Sequence, residues 1–155
     1  VREPVLTRLR ILVAEDEAPL REILAEGLRE EGFEVVTAAN GVEALELYMA
    51  SGPYDVLLLD EPFSAVDEQN RRKFQEDLIR LRTNQNKTFI FVTHSIEEAV
   101  YISDRIVLLS PRPGRVSRII EPEVDRSGDP ERIHRDKHYL DTVDEIWQGL
   151  KQYVD

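Results

Sequence analysis

Short apolar runs alternate along this chain with stretches whose apolar residues recur three and four apart. "RILVA" (Arg10–Ala14) has the length of a buried strand. Pro19 then opens a stretch with Leu20, Ile23, Leu24, Gly27 and Leu28 at helical spacing, and Gly32 closes it. "FEVVTA" (Phe33–Ala38) predicts a second strand. Asn40 is placed to cap a second helix carrying Val42, Leu45 and Met49, which "SGP" (Ser51–Pro53) stops. "DVLLL" (Asp55–Leu59) predicts a third strand, apolar throughout beyond its first residue, as expected of a strand covered on both faces. Asp67 caps a third helix with Phe74, Leu78 and Leu81, and "TFIFVT" (Thr88–Thr93) is a fourth strand. "SIEE" (Ser95–Glu98) is a capping box that opens a short helix. "RIVLLS" (Arg105–Ser110) and "RVSRII" (Arg115–Ile120), joined by "PRPG" (Pro111–Gly114), predict a hairpin of fifth and sixth strands. Asp125 to Asp136 is polar and reads as a linker. Leu140, Val143, Trp147, Leu150 and Val154 then mark an amphipathic helix over residues 138–154, with the tryptophan expected in the core.

Strands alternating with helices predict an α/β fold, a three-layer sandwich around a mainly parallel sheet. In such sheets, sites form beyond the carboxyl ends of the strands. Those ends carry Glu15 and Asp16, Asp60 and Glu61, Thr93 and His94, and Ser110. One acidic strand end is ordinarily a helix cap. Several carboxylates converging on one edge repel each other unless a cation or a proton relieves them, so a divalent cation is expected there.

Composition narrows the partners. The 155 residues carry a net charge of -11, which opposes non-specific binding to nucleic acid or to an anionic membrane. There are no cysteines, so thiolate metal sites are excluded and a reducing cytoplasmic location is expected. No apolar run approaches the length of a membrane span. The opening "VREPVLTRLR" lacks the apolar core of a secretory signal.

Two family resemblances then meet in one strand. "ILVAEDE", "LREEGFEVVTAANGVEAL" and "YDVLLLD" make residues from about Arg10 to Asp60 resemble the first half of a response-regulator receiver domain. That resemblance implies a flavodoxin-like strand order, 2-1-3-4-5. It also implies Mg²⁺ held by Glu15, Asp16 and Asp60, with Asp60 as phosphoacceptor. Thr93 and Ser110 fall at the receiver switch positions by strand number, but Ser110 stands where the family has lysine. A hydroxyl brings no positive charge to a transferred phosphoryl group. Arg112 is near in sequence and reads as a solvated loop charge.

"LLLDEPFSAVD", "FVTHSIEEAVYISDRIVLLSPRPGRV" and "HYLDTVDEIWQGLKQYV" make residues from about Leu57 onward resemble the second half of an ABC-transporter ATPase, of the nitrate, sulfonate or taurine importer type. That resemblance implies Asp60 as the Walker B aspartate, Glu61 as catalytic base, Asp67 as the D-loop aspartate and His94 as the switch histidine. None of the seven glycines is followed by lysine, so these residues contain no Walker A phosphate cradle. No "SGGQ"-like signature segment occurs either, and Glu61 and His94 read as relics.

The expectation is one hybrid domain over residues 1–155, receiver-derived over about 10–60 and ATPase-derived over about 57–155. The crossover lies at the third strand, in an engineered or recombined chimera without a complete parental activity. Residual Mg²⁺ binding and weak phosphoacceptance at Asp60 are expected, and ATP hydrolysis is not. The alternatives are a working receiver-like phosphorelay switch, which a histidine kinase would contact through the first helix, and an ABC-type ATP-binding module. A homodimer or a strand-exchanged dimer is expected at an incompletely covered sheet edge.

Overall fold

The computed structural model describes residues 8–50, 52–84 and 87–153. Residues 1–7 of the opening segment, Ser51 of the predicted stop and Val154 of the terminal stripe lie outside them. The chain divides into two compact units, Val1–Val92 and Thr93–Asp155. Where one hybrid domain was expected, the division falls after the fourth strand. The crossover between the two resemblances lies inside the first unit.

The first unit holds β1 (Arg10–Ala14), α1 (Ala18–Glu30), β2 (Glu34–Ala38), α2 (Gly41–Ala50), β3 (Val56–Asp60), α3 (Glu68–Asn84) and β4 (Thr88–Val92). Its four strands form a parallel sheet in the order β2-β1-β3-β4. The period of two along each strand separates the faces. Ile11, Val13 and Val35 meet Leu24, Ala25 and Leu28 of α1 on one face. On the other, Tyr48 of α2 packs edge-on against Phe89 at 6.1 Å, and Phe63 contacts Phe74 and Phe91 at 5.1 and 5.3 Å. The sheet is therefore the middle of three layers, as the alternation predicted.

Local chemistry sets the helix ends. Pro19 lies in the first turn of α1, and Gly32, at φ +93°, turns the chain out of that helix into β2. Asn40 Oδ1 accepts from the Glu43 N–H at 2.9 Å, and Glu43 Oε2 reaches back to accept from the Ala39 N–H at 2.7 Å, so two side chains secure the start of α2. Asp67 Oδ1 accepts from the Asn70 N–H at 3.1 Å and starts α3.

The second unit holds α4 (Ile96–Ile102), β5 (Ile106–Leu109), β6 (Val116–Ile120), α5 (Pro130–Ile133) and α6 (Lys137–Lys151). Ser95 Oγ accepts from the Glu98 N–H at 3.3 Å, as the capping box predicted. β5 and β6 form the expected antiparallel hairpin, as a separate two-stranded sheet. The fifth place in the expected 2-1-3-4-5 order is therefore empty among the described residues. β5 spends its ladder on β6, and the four-strand part of the order is the part that forms.

Two further details stand out in this unit. The stretch read as a linker carries ordered contacts. Arg126 donates to the carbonyls of Val100, Tyr101 and Ser103 at 2.9, 2.6 and 2.5 Å, closing the carboxyl end of α4 with a cation. Asp129 then caps α5, whose Ile133 is buried. In α6 the buried residues are Tyr139 and Ile146, while Leu140 and Trp147 stand about half exposed. The buried line of the helix thus runs beside the one that the Leu140–Trp147 spacing suggested. His134 fixes it, stacking on Tyr101 at 4.9 Å and meeting Tyr139 edge-on at 5.0 Å.

Candidate functional site at the ends of β1 and β3

Parallel pairing sets Ala14 beside Leu59, so the next residues along β1 and β3 are Glu15 and Asp60. Glu15 still belongs to the pleat. Its N–H donates to Ala38 O at 3.2 Å, and only 4% of its surface is exposed. Asp16, one residue on, is exposed. Burial raises the Glu15 carboxyl to about 7, and hydrogen bonding to Asp16 and Asp60 and the charge of Asp60 push the same way. The Glu17 N–H, donating to Glu15 Oε1 at 2.9 Å, pulls against them and loses. Arg21 brings its guanidinium close, but it donates to the Glu15 carbonyl oxygen at 2.7 Å and not to the carboxylate. The two strand ends therefore place against Asp60 a carboxyl that binds its proton more tightly than usual.

Asp60 opens on a cleft of about 330 Å³. Asp16, Glu43, Glu46 and Glu61 share its lining, with Val42, Ala65 and Val66 giving it an apolar part, and no Lys or Arg lines it. Glu43 and Glu46 were not singled out from the sequence. The signal was there, since both sit on the first two turns of a helix that Asn40 aims at the strand ends. Glu61 adopts φ +42°, a left-handed conformation uncommon for a residue with a side chain, and its N–H donates to Val92 O at 2.8 Å. The backbone then turns through Pro62 and Phe63, with the Ser64 N–H returning to Glu61 O at 3.1 Å.

Thr93, Ser110 and Asp67 have local partners of their own. Thr93 Oγ1 donates to Glu98 Oε2 at 2.9 Å and accepts from the Ser95 N–H at 3.0 Å, which orders the start of α4. Ser110 Oγ accepts from the Arg115 N–H at 3.0 Å and helps close the β5–β6 hairpin. His94 is exposed. Asp67, expected in the D-loop, has its carboxyl held below the ordinary value by the Asn70 N–H, consistent with its work as a cap.

Hard carboxylate oxygens suit Mg²⁺, which is commonly held by one or two carboxylates together with waters. Glu15 and Asp60 fit as such a pair, and the Glu15 carboxyl, raised chiefly by burial and less by the charge of Asp60, must lose its proton to join it. Among the described residues, however, no three Asp, Glu, His or Cys side chains are grouped as a ready-made metal centre.

Comparison with known proteins finds both likenesses, over spans that overlap in the middle of the chain. No family model matches it. An uncharacterised ABC transporter ATP-binding protein of Methanocaldococcus jannaschii is 39% identical over 112 residues, covering 70% of this chain and 42% of that protein. An aliphatic sulfonates import ATP-binding protein of Bacillus cereus is 49% identical over 67 residues, covering 43% of this chain and 27% of that protein. The chain thus spans less than half the length of these curated relatives. Among solved structures, a response regulator protein of Thermotoga maritima in complex with Mg²⁺–BeF is 37% identical, with a TM-score of 0.42, covering 54% of this chain and 67% of that one. A response regulator receiver protein from Pseudomonas putida is 23% identical, with a TM-score of 0.48, covering 62% of this chain and 78% of that one. The ABC-ATPase likeness falls on the C-terminal part and the receiver likeness on the N-terminal part. No helix among the described residues is long and apolar enough to cross a membrane.

Proposed function

We propose that the chain is a recombined chimera, joined at β3, which keeps weak, cation-dependent phosphoacceptor chemistry at Asp60 and no complete activity of either parent type. The observation that carries this reading is the pairing of β1 with β3, which sets the buried Glu15 carboxyl against Asp60 at the mouth of an acidic cleft. The receiver-like motifs of residues 10–60 support the same assignment.

An Asp60 carboxylate oxygen would attack the phosphorus of a small acyl phosphate, and the carboxylate leaving group would take the bonding pair. The cleft opposes the approach of that anion, because its ionisable lining is acidic throughout. A divalent cation held by Glu15 and Asp60, with Asp16 beside them, would offset the charge of the phosphoryl oxygens. Glu15 must give up its proton to serve as a ligand, so uptake should strengthen as pH rises through about 7. No lysine follows β5 to add a second positive charge, which is why the reaction is expected to be slow. The exposed Leu20 and Ile23 of α1 offer a surface for a histidine kinase, if one acts on this chain.

Incubation of the whole chain with acetyl phosphate and Mg²⁺, read by intact mass and peptide mapping, tests the proposal. A gain of one phosphoryl group is expected on the parent, and none with EDTA or in Asp60→Asn. No gain in Mg²⁺, or a gain that survives Asp60→Asn, overturns it.

A further inference from the structure

β4 is the last strand of its four-stranded sheet. Its strand partner is β3, and no second one occurs among the described residues. The backbone fixes which of its groups face outward. The Thr88 N–H donates to Asp55 O at 3.4 Å, and Val92 O accepts from the Glu61 N–H at 2.8 Å, so the even-numbered residues turn their amides toward β3. Alternation along the strand therefore turns the N–H and C=O of Phe89 and Phe91 away from β3. The side chains alternate as well. Ile90 and Val92 are 48% and 45% exposed on one face, while Phe89 and Phe91 pack against Tyr48 and Phe63 on the other. Exposed edges of natural sheets usually carry a lysine, a proline or a bulge that discourages pairing. Thr88–Val92 has no charge, no proline and no bulge.

We propose that this edge pairs with the same edge of a second copy of the chain, antiparallel, about a two-fold axis at Ile90. The argument is the sequence of the strand itself. "TFIFV" reads almost the same in both directions. A two-fold axis at Ile90 sets Phe89 opposite Phe91 of the other copy, twice. Those are the residues whose amides face outward, so each pair exchanges two backbone hydrogen bonds. Ile90 meets Ile90, and Thr88 meets Val92, giving one unbroken β-branched row across both copies. Charge does not oppose the contact locally, although each chain carries -11 overall, so moderate salt should favour pairing. The contact uses the same surface on both copies, as a closed two-fold dimer requires. It does not depend on the phosphoacceptor reading.

The test is sedimentation of the full chain across a range of concentrations, with two variants. The parent is expected to pass from monomer to dimer. Ile90→Lys puts like charges directly opposite at the axis and should abolish the dimer at every concentration where the parent shows it. Its circular dichroism should stay that of the parent monomer, because Ile90 is half exposed. The second variant, Ile90→Cys, introduces the only cysteine in the chain. Residues directly opposite at a non-hydrogen-bonded position have Cα atoms about 4.5 Å apart, within disulfide reach. Mild oxidation should yield a covalent dimer, and Val107→Cys, equally exposed on β5, should not. A parent that remains monomeric, a dimer that survives Ile90→Lys, or equal cross-linking of the two cysteine variants overturns the proposal.

Discussion

β1 and β4 are five-residue parallel strands of similar apolarity in one sheet, yet they live in different surroundings. β1 is paired on both sides and covered on both faces, and Leu12 and Val13 are fully buried. β4 is paired on one side, and its Ile90 and Val92 face outward. Apolar content therefore shows that a strand exists, while burial depends on which neighbours arrive. β1 has both of its partners within the receiver-like stretch. β4 would find its second partner in a fifth strand, and here that strand pairs with β6 instead.

The largest expected effect breaks this contrast directly. Leu12→Ala removes a fully buried side chain and should cost about 3–4 kcal/mol. Ile90→Ala, measured in dilute solution, should cost less than about 1 kcal/mol, since only part of its surface leaves water. Urea titration of both variants checks the difference. Comparable costs would mean that β4 is as enclosed as β1.

Next in size is the carboxyl pair. Glu15 sits at about 7 in the folded chain against an ordinary 4.5, so the folded state holds its proton more tightly than the unfolded one. Its contribution is therefore fully present below about pH 4.5 and is lost as pH rises through about 7. At about 1.4 kcal/mol per pH unit, the loss approaches about 3 kcal/mol. Glu15→Gln keeps an acceptor for the Glu17 N–H and has no charge to bury. In EDTA it should match the parent near pH 4.5 and exceed it at pH 8. Parallel stability curves for the two proteins would show that Glu15 ionises freely.

What the sequence made legible follows the reach of each interaction. The caps at Asn40, Asp67 and Ser95 were readable because a side chain and an N–H two or three residues away settle them. The acidic strand ends were readable because parallel sheets put strand ends together. Neighbouring Glu15 and Asp16 looked alike, and only the pleat separates them into one buried and one exposed acid. Trp147 looked like core because its spacing marks a stripe, but His134, from outside the helix, chooses which stripe is buried. Arg126 looked like one more linker charge, because its three carbonyl partners lie more than twenty residues away, at the end of α4. The positive φ of Glu61 had only the following proline as a hint, since a residue before proline is biased away from the ordinary helical conformation.

The smallest predicted effects probe the join between the two family-like parts, and they differ in sign for one substitution. Gly27 lies exposed within α1, with nothing within 4 Å of where a Cβ would stand. Gly27→Ala should stabilise by about 0.5–1 kcal/mol, through helix propensity alone. Gly41 starts α2, on the receiver-like side of the join, and a Cβ there would lie 2.8 Å from Pro62 Cβ, 3.1 Å from Pro62 O and 3.2 Å from Phe74 Cζ. All three atoms belong to the ATPase-like side, and Pro62 is buried in a turn whose backbone is already held by Glu61 and Ser64. A helix packed this closely has no room to recover the propensity gain, so Gly41→Ala should destabilise by about 1–2 kcal/mol. Thermal melts of the two variants decide the matter. Opposite shifts mean that α2 is packed to contact against the Pro62 turn and Phe74. Equal upward shifts mean that α2 sits loosely against the Pro62 turn and that the close approach at Gly41 is relieved in solution.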